Sequence, residues 1–77
     1  MRIKVRLFGP LAEAAGKSEV SVEVEKGATA ADVVDAVRQI VAVDKSVRIA
    51  IDTDYATPKA VIKAGDIVSL IPPVAGG

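Results

Sequence analysis

Arg2-Ile3-Lys4-Val5-Arg6-Leu7-Phe8 is the stretch from which the fold can be read. Its apolar and polar residues alternate strictly, so Ile3, Val5 and Leu7 point one way and Arg2, Lys4, Arg6 and Phe8 the other. Only a half-buried β-strand has that period. A second stretch matches it, with Val20, Val22 and Val24 on one side and Glu19, Ser21, Glu23 and Glu25 on the other. Antiparallel pairing sets the basic row against the acidic one, each favourable cross-strand pair contributing about 0.2–1 kcal/mol. The basic row is therefore expected to be matched by glutamates rather than to bind nucleic acid.

Between these strands, Pro10 suits the first turn of a short helix over Leu11–Ala15, with Gly16 as its stop. After the Lys26-Gly27 turn, Thr29 reads as a helix N-cap with Asp32 three residues on, close to a capping box. Val33, Val34, Val37, Ile40 and Val41 recur at helical spacing, so a helix is expected from about Ala30 to about Ala42. No other segment is long enough to cover a sheet. Val47, Ile49 and Ile51 alternate as a third strand before the turn-rich Asp52-Thr53-Asp54. Residues 55–62 are ambiguous, with Val61 and Ile62 expected to supply core contacts. Ala64-Gly65-Asp66 forms a turn, and Ile67–Ile71 is apolar enough to lie centrally in a sheet. The order strand, strand, long helix, strand, strand predicts an α+β roll. With the first and last strands parallel in the middle, this is the β-grasp (ubiquitin-like) roll, a mixed four- to five-stranded sheet packed on one main helix.

Composition narrows the chemistry. The 77 residues contain ten basic and ten acidic side chains, no Cys and no His. A single domain is expected, with no footprint for nucleic acid. Without Cys there are no disulfides or thiolate metal sites, and without His the usual general base and commonest metal ligand are missing. No phosphate-cradling glycine loop occurs. No segment reads as a leader or a membrane span, so the expected location is cytoplasmic, with no membrane partner. A self-sufficient enzyme is a poor fit to this inventory.

The last residues are Pro72-Pro73-Val74-Ala75-Gly76-Gly77. The division expected is a domain over 1–71 and an extended tail over 72–77. Two prolines favour an extended stem, and six residues at ~3.1 Å each reach roughly 19 Å. Gly76 and Gly77 carry no side chain and suit a narrow slot. The Gly77 carboxylate is the candidate working group.

Leu7-Phe8-Gly9 with Leu11-Ala12-Glu13-Ala14-Ala15-Gly16, Ile62-Lys63-Ala64-Gly65-Asp66-Ile67-Val68, and above all Pro72-Pro73-Val74-Ala75-Gly76-Gly77 resemble the small subunits of molybdopterin synthase, a ubiquitin-like sulfur-carrier family. The related thiamine sulfur carriers also end in Gly-Gly but usually lack the double proline. The turn after the third strand often carries Asn in the family and here has Asp52, which is expected to shape the turn. The resemblance implies that a ubiquitin-activating-like adenylyltransferase uses ATP to adenylate the Gly77 carboxylate. A sulfur donor protein then converts it to a thiocarboxylate. Pro72, Pro73, Val74, Ala75 and Gly76 would enter the large subunit, where sulfur passes to the pterin precursor. It also implies a heterotetramer of two small and two large subunits. No cofactor is expected to be bound permanently. Phe8 and Ile71, both outward-facing near the tail, are the candidate partner-binding residues, with Val74 beside them. A ubiquitin-like modifier, another sulfur carrier and a passive β-grasp interaction module remain open alternatives at this point.

Overall fold

The computed structural model describes residues 1–73, so Val74, Ala75, Gly76 and Gly77 lie outside the described residues. Seven elements follow in order: β1 Arg2–Leu7, α1 Pro10–Ala15, β2 Glu19–Glu23, α2 Ala30–Val37, β3 Arg48–Ile51, β4 Asp54–Ala56 and β5 Ile67–Ile71. They build one five-stranded sheet in the order β2-β1-β5-β3-β4. β1 pairs with β2 antiparallel and with β5 parallel, and β3 pairs antiparallel with both β4 and β5. First and last strands thus meet in the centre, which is the β-grasp arrangement.

Alternation does the sorting. The buried residues of β1 are Ile3, Val5 and Leu7, and those of β2 are Val20 and Val22. With Val68 and Leu70 of β5 and Ile49 of β3 they make the inner face, closed by Ala30, Val33, Val34 and Val37 of α2. Helix α2 starts on a complete capping box: the Thr29 hydroxyl accepts from the Asp32 amide, and the Asp32 carboxylate accepts from the Thr29 amide at 2.9 Å. Both groups would otherwise be orphans of the first turn. Helix α1 ends on Gly16 at φ 76°, the left-handed position that glycine occupies without strain.

Four details depart from the sequence expectation. Helix α2 ends at Val37 rather than near Ala42, and the chain leaves through turn bonds from Ile40 N–H to the Val37 carbonyl and from Val41 N–H to the same oxygen. Val41 and Val43 are both buried, whereas Ile40 is 48% exposed. Residues two apart on a helix face nearly opposite ways, so burying both valines requires leaving it. Val61 is also exposed while Ile62 is buried. An isolated antiparallel bridge between Thr29 and Val61 makes this segment locally extended, and consecutive side chains there point to opposite sides. Asp54 belongs to β4 rather than to the preceding turn, and with Tyr55 and Ala56 it gives structure to part of the ambiguous segment. Finally, the basic row is only partly matched. Arg2 pairs with Glu23 at 3.3 Å, but Lys4 stands opposite Ser21, and Arg6 faces Glu19 without an ion pair.

Candidate functional site

The tail begins where the central strand stops. Strand β5 ends at Ile71, so Pro72 and Pro73 leave directly from a strand hydrogen-bonded on both sides. Pro72 is half-buried and Pro73 exposed. Beneath them lies Gly9, at φ 53° and ψ −130°, a conformation that L side chains rarely adopt. A Cβ built on Gly9 would sit 3.7 Å from Cγ of Pro72, at ordinary van der Waals distance, so the Pro72 ring lies beside Gly9. The Phe8 and Gly9 carbonyls accept from the Leu11 and Glu13 amides, which fixes the start of α1 beside the tail root. Gly9 was legible in the sequence as part of a motif, but nothing in the sequence told of its contact with Pro72.

On one side of the root, Pro72 and Pro73 help line a mainly apolar groove with Leu11 of α1 and Val47 before β3. Asp44 lies in the same groove. The hydroxyl of Ser46 at 2.6 Å and its amide at 2.8 Å donate to the Asp44 carboxylate and hold its pKa below the ordinary value. Asp44 therefore keeps its negative charge to lower pH than an ordinary aspartate does.

On the other side, the outer face of the sheet is left uncovered by either helix. A shallow hollow there is lined by Phe8, Ile71, Ser69, Ala50, Tyr55 and Asp52, among others. Cross-strand register explains the grouping: Ser69 pairs with Ala50, and Ala50 with Tyr55. Phe8 is 45% exposed and Ile71 half-buried, so both candidate partner-binding residues line one open surface next to the tail. Tyr55, 70% exposed, joins them. Sequence reading passed over it because a three-residue edge strand leaves too short a pattern to place a side chain. Asp52 occupies the left-handed region at φ 56°, where Asp and Asn are tolerated. Its carboxylate accepts from the Ile67 amide at 3.2 Å, which ties the β3–β4 turn to the start of β5.

Among the described residues no cluster of acidic side chains has the makings of a metal site, and no helix is long and apolar enough to cross a membrane. The remaining candidates, Val74, Ala75, Gly76 and Gly77, lie outside the described residues.

The whole chain has known relatives. A curated molybdopterin synthase sulfur carrier subunit from Chlamydomonas reinhardtii is 36% identical over an alignment of 86 positions that spans all of both proteins. The crystal structure of SAMP1 from Haloferax volcanii superposes with a TM-score of 0.86 at 28% identity, again over all of both chains. A putative molybdopterin converting factor subunit 1 from Pyrococcus furiosus gives 0.82 at 26% identity, covering 96% of this chain and 99% of that one. The model of the ThiS family matches residues 5–77, tail included, and the chain belongs to that family.

Proposed function

We propose that this protein is the sulfur-carrier subunit of a molybdopterin synthase and that the Gly77 carboxylate is the group that carries the sulfur. The observation that supports it most is the end-to-end likeness to the Chlamydomonas reinhardtii subunit, in a chain whose tail root leaves from the middle of the sheet. A carboxylate is a poor electrophile. Adenylation by a partner enzyme, with ATP as that enzyme's substrate and pyrophosphate released, turns it into an acyl group with a good leaving group. A sulfur nucleophile delivered by a donor protein then displaces AMP and leaves a thiocarboxylate. None of these steps asks this chain for a catalytic side chain, which accords with a sequence that has no His and no Cys. Its task is positional. Pro72 and Pro73 restrict the stem and lower the ordering entropy lost when the tail enters a partner.

Intact-mass measurement tests the reading. After incubation with ATP, the activating enzyme and a sulfur source, the chain gains the mass of one oxygen exchanged for one sulfur at Gly77. Larger covalent conjugates in place of that exchange would point to a protein modifier, and an unchanged mass would overturn the carrier reading.

The outer hollow is the proposed seat of the large subunit. Phe8 is the only Phe of the chain and stands exposed beside the tail root, where an aromatic anchor is most effective. Phe8→Ala or Ile71→Asp is expected to weaken large-subunit binding by roughly fivefold or more, since an interface anchor contributes over about 1 kcal/mol. The melting midpoint stays near wild type because neither side chain belongs to the core. A binding titration beside a thermal melt measures both.

A further inference from the structure

Arg48 stands directly across the β3–β5 ladder from Ile71, the residue before the Pro-Pro stem. It is exposed and takes part in none of the ion pairs found among the described residues. Its guanidinium carbon lies 5.8 Å from the centroid of the Tyr55 ring, close enough for a cation–π contact. Tyr55 belongs to the edge strand and lines the outer hollow with Phe8 and Ile71. A guanidinium resting on an aromatic face keeps its N–H fork open along its edge, in a shape that matches a carboxylate. Asp52, the carboxylate that lines this hollow, is engaged with the Ile67 amide. The hollow thus shows a largely apolar floor and, at its margin, a steadied cation that is unpaired among the described residues.

We propose that Arg48 is a specificity-determining residue of this surface, taking the carboxylate of an acidic side chain at the rim of the docking partner's apolar contact. The proposal rests on reading the hollow as the large-subunit seat. Two features select this occupant: a positive charge unmatched among the described residues, and its continuity with the Phe8–Ile71 patch. An apolar partner without an acidic rim would fill the floor and leave Arg48 unused. A basic surface would be repelled. Tyr55 is the positioning residue, since its ring steadies the guanidinium.

The test is titration of the large subunit from the same organism against the full chain at about 0.1 M and about 1 M salt, between which the Debye length falls from about 10 Å to about 3 Å. Arg48→Glu should bind at least about tenfold more weakly at the lower salt, chiefly through slower association, with the gap shrinking at the higher salt. Arg48→Met keeps an apolar stem over Tyr55 and should lose much of the salt sensitivity with a smaller drop in affinity. Arg48→Lys should fall between wild type and Arg48→Met. Unchanged melting midpoints mark these as binding effects. If Arg48→Glu lowers the midpoint, the salt response of Arg48→Met decides, and a wild-type salt response there overturns the proposal. Wild-type affinity in Arg48→Glu overturns it as well. If that happens while Phe8→Ala still binds weakly, the hollow remains the docking surface and only the role of Arg48 falls. If the wild-type chain does not bind the large subunit, both fall.

Discussion

A chain shortened by one residue, lacking Gly77, is expected to accept no sulfur, although its new terminus would again be a glycine carboxylate. The reacting group would be chemically the same and only its position would change. One residue of extended chain is worth about 3.1 Å. A misplacement of about 1 Å at a reacting centre can cost about 10²-fold in rate. Adenylation, followed as ATP–pyrophosphate exchange, should therefore fall by at least about two orders of magnitude on the same reasoning. Intact mass should show no exchange of oxygen for sulfur. Gly77→Ala separates reach from width, because it keeps the length and adds one methyl group. Loss of activity in that variant identifies a slot shaped for a bare backbone. The fold should be indifferent to both changes, since among the described residues the core contains none beyond Leu70. Wild-type exchange and sulfur loading in the shortened chain would remove Gly77 from the mechanism.

The second large effect concerns stability. Leu70→Ala is expected to cost about 2–5 kcal/mol, the range for deleting a buried leucine side chain where surroundings relax only in part. Leu70 is fully buried on the central strand, flanked by Leu7 across the parallel ladder and Ile49 across the antiparallel one. Rigid backbone on both sides limits how far the cavity can close. A domain of this length has on the order of 4–11 kcal/mol of stability in all. Since 1 kcal/mol moves the midpoint of a small domain by about 4–8 °C, a melt should shift down by roughly 8–40 °C. A shift of only a few degrees would mean that the neighbours collapse into the space. Sulfur loading of the folded fraction should persist, because Leu70 points away from the outer hollow.

The long-period features of this fold were open to sequence reading because each rests on a repeated physical signal. Two six-to-seven-residue alternations placed β1 and β2 and their antiparallel pairing, but not the exact register, which sets Lys4 opposite Ser21 rather than a glutamate. Thr29 and Asp32 announced the start of α2 through their own hydrogen-bond chemistry. Features that depend on a few residues answering to tertiary contacts were not open in this way. The end of α2 is set by the competing demands of Val41 and Val43 on the core, and periodicity alone carried the expected helix past it. Val61 and Ile62 are equally apolar neighbours, and only the bridge to Thr29 decides that Ile62 goes inside. In the site, Phe8 and Ile71 could be placed by alternation. Tyr55 and Arg48 could not, because their meeting with Ile71 requires the strand order β5-β3-β4.

The central parallel ladder has a further consequence for how the molecule comes into being. It joins Val5 to Val68 and Leu7 to Leu70, partners from near the two extremes of the chain. Closing so long a loop costs entropy before any contact repays it, so this pairing is expected to govern the folding rate. Without it, β2 and the β3–β4 hairpin have no common sheet to join. The outer hollow needs residues from β3, β4 and β5 together with Phe8. A molecule without the central ladder therefore lacks the Phe8 side of that surface, and a partner anchored on Phe8 would meet it complete only in finished copies. In a small domain that folds in one cooperative step, the root of the stem and the platform beside it arise together.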